Sequence, residues 1–159
     1  MVTSIKSARQ VRPASGSGRK RQSHEEDDHQ KYLFEFMELA YFKYYDGSMR
    51  KVTDYLFAIP NGGKRNKLEA VRLKKQGVKA GVSDMFLPIP FNDRCGLWME
   101  LKVGKGKPSG DQLDWIDRMV DIGYLAVVIW GWKSAAKAID AYLGGLYTKA
   151  GKRLTLDGF

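Results

Sequence analysis

Residues Tyr124 to Trp130 are seven consecutive apolar positions, the longest such run in a chain of 159 residues. A bilayer span needs about 20, so this segment has the length of a buried strand and cannot cross a membrane. A strand that is apolar on both sides must be covered on both, which suits the centre of a sheet flanked by helices. Upstream, Leu97 to Val103 alternates cleanly, with Leu97, Met99, Leu101 and Val103 on one face and Trp98, Glu100 and Lys102 on the other. Between the two, the sequence predicts a helix from Gly110 to Ile122, preceded by Ser109 and stopped by Gly123. The Ser109-x-x-Gln112 spacing is a capping box, sufficient by itself to explain that glutamine.

The other segments extend this pattern. A first helix is expected after Ser23, with Glu25, Glu26, Asp27 and Asp28 in its first turn, where the helix dipole favours negative charge, and an apolar face of Leu33, Met37, Ala40 and Tyr44. Tyr55 to Ile59 reads as a buried strand ended by the turn Pro60-Asn61-Gly62-Gly63. A second helix runs from Arg65 to Gln76 with Gly77 as its stop, Met85 to Ile89 is a short strand, and Ser134 caps a last helix through Leu143. Helix, strand, helix, strand, strand, helix, strand, helix is the order of an α/β protein with a mixed central sheet. Residues 1–22 hold six bases, no acid and a Ser-Gly-Ser-Gly run, predicting a flexible basic tail whose composition also suits a targeting segment. Residues 23–143 form the expected domain and 144–159 a C-terminal extension without a clear pattern.

Charge narrows the partner. Lys and Arg number 27 against 18 Asp and Glu, a net +9, and a basic domain attracts polyanions because neutralised phosphates release condensed counterions. Seven bases against one acid lie between Asn61 and Lys79; they form either a solvated helix face or the wall of a phosphate groove. A single cysteine, Cys95, and two histidines can build neither an internal disulfide nor a Cys/His zinc site.

The candidate chemistry lies in Asp84 and Glu100-Leu101-Lys102. Glu100 and Lys102 are two apart on a strand and so share a face, and pairing with the Asp84 strand as a hairpin would bring two carboxylates together. Two such carboxylates resist joint ionisation. A divalent cation such as Mg²⁺ resolves the conflict and can generate hydroxide beside a phosphate. The competing reading is two polar side chains on a solvated sheet face.

Together these pieces resemble the virus-type replication-repair nuclease (VRR-NUC) family of the PD-(D/E)XK superfamily. The matching stretches are Ile59-Pro-Asn-Gly-Gly-Lys-Arg65, Leu73-Lys-Lys-Gln-Gly-Val-Lys-Ala-Gly-Val-Ser-Asp84 with Leu87-Pro88, Gly96-Leu-Trp-Met-Glu-Leu-Lys102, Ser109-Gly-Asp-Gln112, and Gly123-Tyr124 running into Gly131. The resemblance implies a restriction-endonuclease-like core. It assigns catalytic places to Asp84, Glu100, Lys102, Gln112 and Glu26, with Glu25 as the other candidate first-helix acid, and metal-binding places to Asp84, Glu100, Glu26 and the backbone of Leu101. Lys64, Arg65, Lys67, Lys74, Lys75, Lys79, Lys105 and Lys107 would contact DNA. Ser83 stands where the family often has proline, which alters the turn and leaves the chemistry intact.

What the family implies is a Mg²⁺-dependent DNA endonuclease, with Mn²⁺ as a substitute. Small stand-alone members resemble phage junction resolvases, so a homodimer acting on four-way junctions or flaps in a bacterial cytoplasm is expected. A non-catalytic DNA-binding module that kept the fold is the alternative. The seven aromatic residues between Tyr32 and Tyr45, read as one helix, supply the further motive for a dimer.

Overall fold

The computed structural model describes residues 19–60, 67–157 and 159. Its sheet is organised by the hairpin of β4 (Met85–Leu87) and β5 (Leu97–Lys102), antiparallel neighbours with Met85 opposite Met99. The tight turn between Phe91 and Arg94 places Asn92 and Asp93 at φ 47 and 62, left-handed conformations that these two residue types tolerate well. From β5 the chain passes through α3 (Gly110–Asp121) into β6 (Leu125–Trp130), which pairs with β5 in parallel. A short β3 (Phe57–Ala58) joins β4 antiparallel, so the order is β3-β4-β5-β6 and the sheet is mixed.

The two faces of β5 meet different helices. Leu97, Met99 and Leu101 enter the core with Leu33, Met37, Ala135 and Ile139 of α1 (Arg19–Met37) and α4 (Trp132–Tyr142). The opposite face turns toward α3, where Trp98 meets Trp115 edge-to-face at 5.2 Å between centroids. β6 therefore has helices on both sides, as its apolar run requires, but it lies at the edge of the described sheet and not at its centre. Two-sided apolarity reports coverage by helices and says nothing about the number of hydrogen-bonded neighbours.

Several expected boundaries move. The first helix begins at Arg19, so Ser23 is inside it, and it ends at Met37. Ala40 and Tyr44, expected on its face, fall beyond it: β1 (Tyr41–Lys43) pairs antiparallel with β2 (Met49–Lys51). The turn explains the switch. Gly47 adopts φ 81, and the Asp46 carboxylate accepts the Ser48 N–H at 2.9 Å and pairs with Arg50 at 2.8 Å. Of the predicted strand Tyr55–Ile59 only Phe57 and Ala58 pair, and Phe57 is 46% exposed because β3 is an edge.

The second helix, α2, is described over Lys67–Lys75. The third keeps its predicted caps. The last starts at Trp132, two residues before Ser134, with Gly131 in the cap position. Residues after Leu143 continue into the same core. Leu146 is buried, and Tyr147 exchanges backbone hydrogen bonds of 2.7 Å with Tyr41. Residues 1–18, most of the expected basic tail, lie outside the described residues.

Candidate active site

Three elements converge on one end of the β4–β5 hairpin. Asp84 ends the turn that leads into β4, and its carbonyl accepts the Ile59 N–H at 2.7 Å. Its carboxylate Oδ2 accepts the Leu101 N–H at 2.9 Å, which fixes the side chain against the strand that carries Glu100 and Lys102. The turn itself needs a glycine. Gly81 has φ +77, and a Cβ there would sit 2.1 Å from the Asp111 carbonyl oxygen, so the backbone of the turn rests directly on the start of α3.

Glu100 is fully buried and Lys102 nearly so, at 0% and 7% exposure. The solvated-face reading of these two residues therefore fails. Their ion pair, Lys102 Nζ to Glu100 Oε1, is 2.5 Å. Gln112 joins them. Its Oε1 accepts the Ser109 N–H at 2.8 Å while its Nε2 donates to the same Glu100 oxygen. The capping role and the site role thus belong to opposite ends of one amide, and the cap dictates that the donor end faces Glu100. The second oxygen of Glu100, Oε2, is buried without a hydrogen-bond partner among the described residues, an uncommon and costly state for a carboxylate.

The electrostatics follow from this crowding. Burial, reinforced by the Asp84 charge and only partly relieved by Lys102, pushes the Glu100 carboxyl up to about 7. Burial acts on Lys102 in the opposite sense, but its hydrogen bond and charge interaction with Glu100, with help from Glu26 and Asp84, hold its ammonium above the usual lysine value. Glu26 is half-buried and also raised, mainly by desolvation, against the countering charge of Lys102 and the lowering influence of the Val103 backbone. Glu25 is exposed, so the first-helix acid that faces this site is Glu26.

These shifts make a stability prediction. The folded protein retains a Glu100 proton up to about pH 7 that a carboxyl at its ordinary value of 4.5 has released. By linkage, this group's contribution to metal-free stability is fully present below that ordinary value and is lost as pH rises to 7 and beyond. Lys102, raised from 10.5, keeps its contribution throughout that window. Thermal melts in chelator from pH 5 to 8 should show Tm falling, with the fall markedly smaller in Glu100→Gln; equal slopes would count against the burial of this charge.

The remaining predicted residues divide by place. Lys74, Lys75 and Lys79 are exposed on and after α2, and Lys105 and Lys107 are exposed on the loop just beyond Lys102, so the site has basic residues on two sides. Lys64 and Arg65 lie outside the described residues, and Lys67 opens α2. A groove of about 870 Å³ between α2 and α3 is lined by Lys74, Lys79 and Arg118 with Leu73 and Val78, and Gly81 and Asp111 border it beside the site. Arg118 was not foreseen. Its spacing of six from Gln112 carries no signal until α3 is placed against the Asp84 turn.

The donor set suits a hard cation. Among the described residues no three His, Cys, Asp or Glu side chains stand close enough to enclose a metal by themselves, but Mg²⁺ is commonly held by one or two carboxylates with waters completing its shell. Asp84 and Glu100 supply those oxygens. Among the described residues nothing donates to Oε2 of Glu100, and the Lys102 ammonium does for this carboxylate what a cation would do.

A mixed sheet with helices on both faces and an acid, acid, lysine set at its hairpin end defines a PD-(D/E)XK-like core. Comparison with solved structures agrees. The chain matches a VRR_NUC domain protein with a TM-score of 0.63 and 27% identity, over 76% of this chain and 88% of that one. No family model matches the sequence, and no curated protein does. The chain is thus similar to a VRR_NUC domain protein, as its motifs led us to expect, and the likeness supports a nuclease-type domain. No described helix is long and apolar enough to cross a membrane.

Proposed function

We propose that this protein is a Mg²⁺-dependent endodeoxyribonuclease, with Mn²⁺ able to replace Mg²⁺. The observation that carries the reading is the buried Glu100, whose Oε2 has no hydrogen-bond partner among the described residues while its other oxygen is held by Lys102 and Gln112 and the Asp84 charge acts on the same carboxyl. Burying an acid this deeply costs stability, and a structural role would be served better by an apolar residue. A cation held there would supply a nucleophilic hydroxide at neutral pH and Lewis acidity at the scissile phosphate. Asp84 and Glu100 would hold it, with the Leu101 backbone alongside and Glu26 at the edge. Lys102 places its ammonium where negative charge develops, an electrostatic contribution that water cannot match in a buried site.

DNA would approach over the two basic flanks. Phosphates in the groove of Lys74, Lys79 and Arg118 would lead one strand to the Asp84 turn. Reversing two of these charges, Lys79→Glu with Arg118→Glu, should weaken duplex affinity by about tenfold or more in 0.1 M salt and flatten its salt dependence, since each lost phosphate contact removes about 0.9 from the log–log slope. The rate at saturating DNA should change little. Filter binding across a salt series with single-turnover cleavage measures both, and an unchanged slope would take the groove out of the DNA path.

Branched replication or recombination intermediates, four-way junctions or flaps, are the proposed substrates, and a symmetric homodimer would match the two-fold symmetry of a junction. The aromatic argument for that dimer weakens here, because Tyr41, Phe42, Tyr44 and Tyr45 belong to β1 and its turn, with Phe42 fully buried. Labelled nicked, flapped, forked and four-way substrates, incubated with Mg²⁺ or with chelator, test the proposal as a whole. Metal-dependent cutting supports it, and tight binding without cutting in either Mg²⁺ or Mn²⁺ would return the protein to the class of non-catalytic DNA-binding modules.

A further inference from the structure

Glu26 reaches the site on the N-terminal half of α1, and one turn further along the same helix is a side chain that ties it down. His29 Nδ1 accepts the backbone N–H of Trp132 at 3.1 Å. An accepting Nδ1 places the proton of the neutral ring on Nε2. Trp132 is the first residue of α4, and the residue before it, Gly131, has φ 81 and no side chain with which to cap that helix. The histidine therefore satisfies the first amide of α4, one of those a helix start leaves unpaired, from a different helix.

The preceding amide completes the link, since the Gly131 N–H donates to the Lys102 carbonyl at 2.8 Å. Two successive amides thus point one to the strand bearing the lysine and the other to the helix bearing Glu26. Tyr32 packs edge-on to His29 and tilted against Trp132 at this junction, with ring centroids 6.5 and 6.4 Å away.

We propose that His29 is a positioning residue for the metal site: through the Trp132 amide it holds α1 so that Glu26 stays against Val103 and Lys102. This rests on the metal-nuclease reading above. The restraint answers a physical need. Desolvation and the neighbouring Asp84 and Asp27 charges act against an ionised Glu26 at this place, while the Lys102 charge and the Val103 backbone act for it, so its place at the site depends on where α1 is held. Without the tether, Glu26 gains hydration by swinging outward and the site loses the acid at its edge.

His29→Ala removes the acceptor, whereas His29→Asn offers Oδ1 the same number of bonds from the backbone as Nδ1. The full-length protein without DNA is titrated with Mn²⁺, exchange of the Trp132 amide is followed by NMR, and single-turnover cleavage is measured separately. His29→Ala should speed Trp132 exchange at least about tenfold and weaken Mn²⁺ binding about tenfold, at the low end for outer partners of metal ligands. DNA affinity should stay unchanged. His29→Asn should restore exchange and Mn²⁺ binding together, and adding His29→Ala to Glu26→Gln should cost no further Mn²⁺ affinity. If His29→Ala does not fold, His29→Gln, whose acceptor lies one bond further out, takes its place with the same expected losses. Wild-type Mn²⁺ affinity in a folded variant whose Trp132 amide exchanges freely overturns this inference and leaves the nuclease reading standing. Absence of Mn²⁺ binding by the wild type overturns both, and cleavage retained by the wild type but lost alike in Ala and Asn variants assigns His29 a different role.

Discussion

Asp84→Asn is expected to lower the single-turnover cleavage rate by about a thousandfold, while duplex affinity stays within about threefold. The size follows from losing metal-assisted hydroxide formation and one charged ligand together. The separation follows from geometry, because the basic flanks that attract phosphate are not part of the carboxylate cluster. The fold should survive, since an Asn oxygen can still accept the Leu101 N–H that now binds Asp84 at 2.9 Å. A second consequence distinguishes this from simple damage. With the Asp84 charge gone, one of the two main causes that push Glu100 up to about 7 disappears, so the alkaline loss of metal-free stability should shift to lower pH. Paired kinetics and binding on one labelled substrate, with melts in chelator, check both parts; wild-type cutting by Asp84→Asn would remove Asp84 from the site.

Lys102→Met should be nearly as severe and should fail in a different way. Removing one partner of a buried ion pair leaves the other charge uncompensated, typically worth about 3–5 kcal/mol, and here the abandoned group is Glu100 at 0% exposure. The variant should therefore be strongly destabilised in chelator at pH 8 and much less so at pH 6, where Glu100 is protonated. Mg²⁺ should recover part of the loss by replacing the ammonium as the compensating charge. Cleavage should still fall by about a hundredfold or more, because the metal cannot also supply the donor aimed at the transition state. Lys102→Arg should rescue poorly, the planar guanidinium being too large for the 2.5 Å contact that the ammonium makes with Glu100. A Lys102→Met protein with parental stability at pH 8 would show that the pair is not buried as described.

What the sequence disclosed and what it hid have separate physical causes. The α3 caps, the Gly77 and Gly123 stops and the alternation of β5 were legible because each depends on residues within one element. The β1–β2 hairpin was not, since Ala40 and Tyr44 continue the helical spacing of Leu33 and Met37. Asp46 and Gly47 were the contrary signal. A helical period marks possible faces, whereas the turn residues decide where the chain reverses. In the site, the shared face of Glu100 and Lys102 was readable, but its burial depends on α3 arriving from elsewhere in the chain. The same dependence concealed that Gln112 closes the cap with one atom and holds Glu100 with another. His29 was invisible for the strongest version of this reason, its partner lying 103 residues away.

Crystals of the protein grown with Mn²⁺ and measured for anomalous scattering test the central claim most directly. The account predicts a peak between the Asp84 and Glu100 carboxylates beside the Leu101 backbone, with the Lys102 ammonium displaced from Glu100, and no such peak in Glu100→Gln. An empty site in protein that cuts DNA with Mn²⁺, or a peak elsewhere that survives Glu100→Gln, would contradict it.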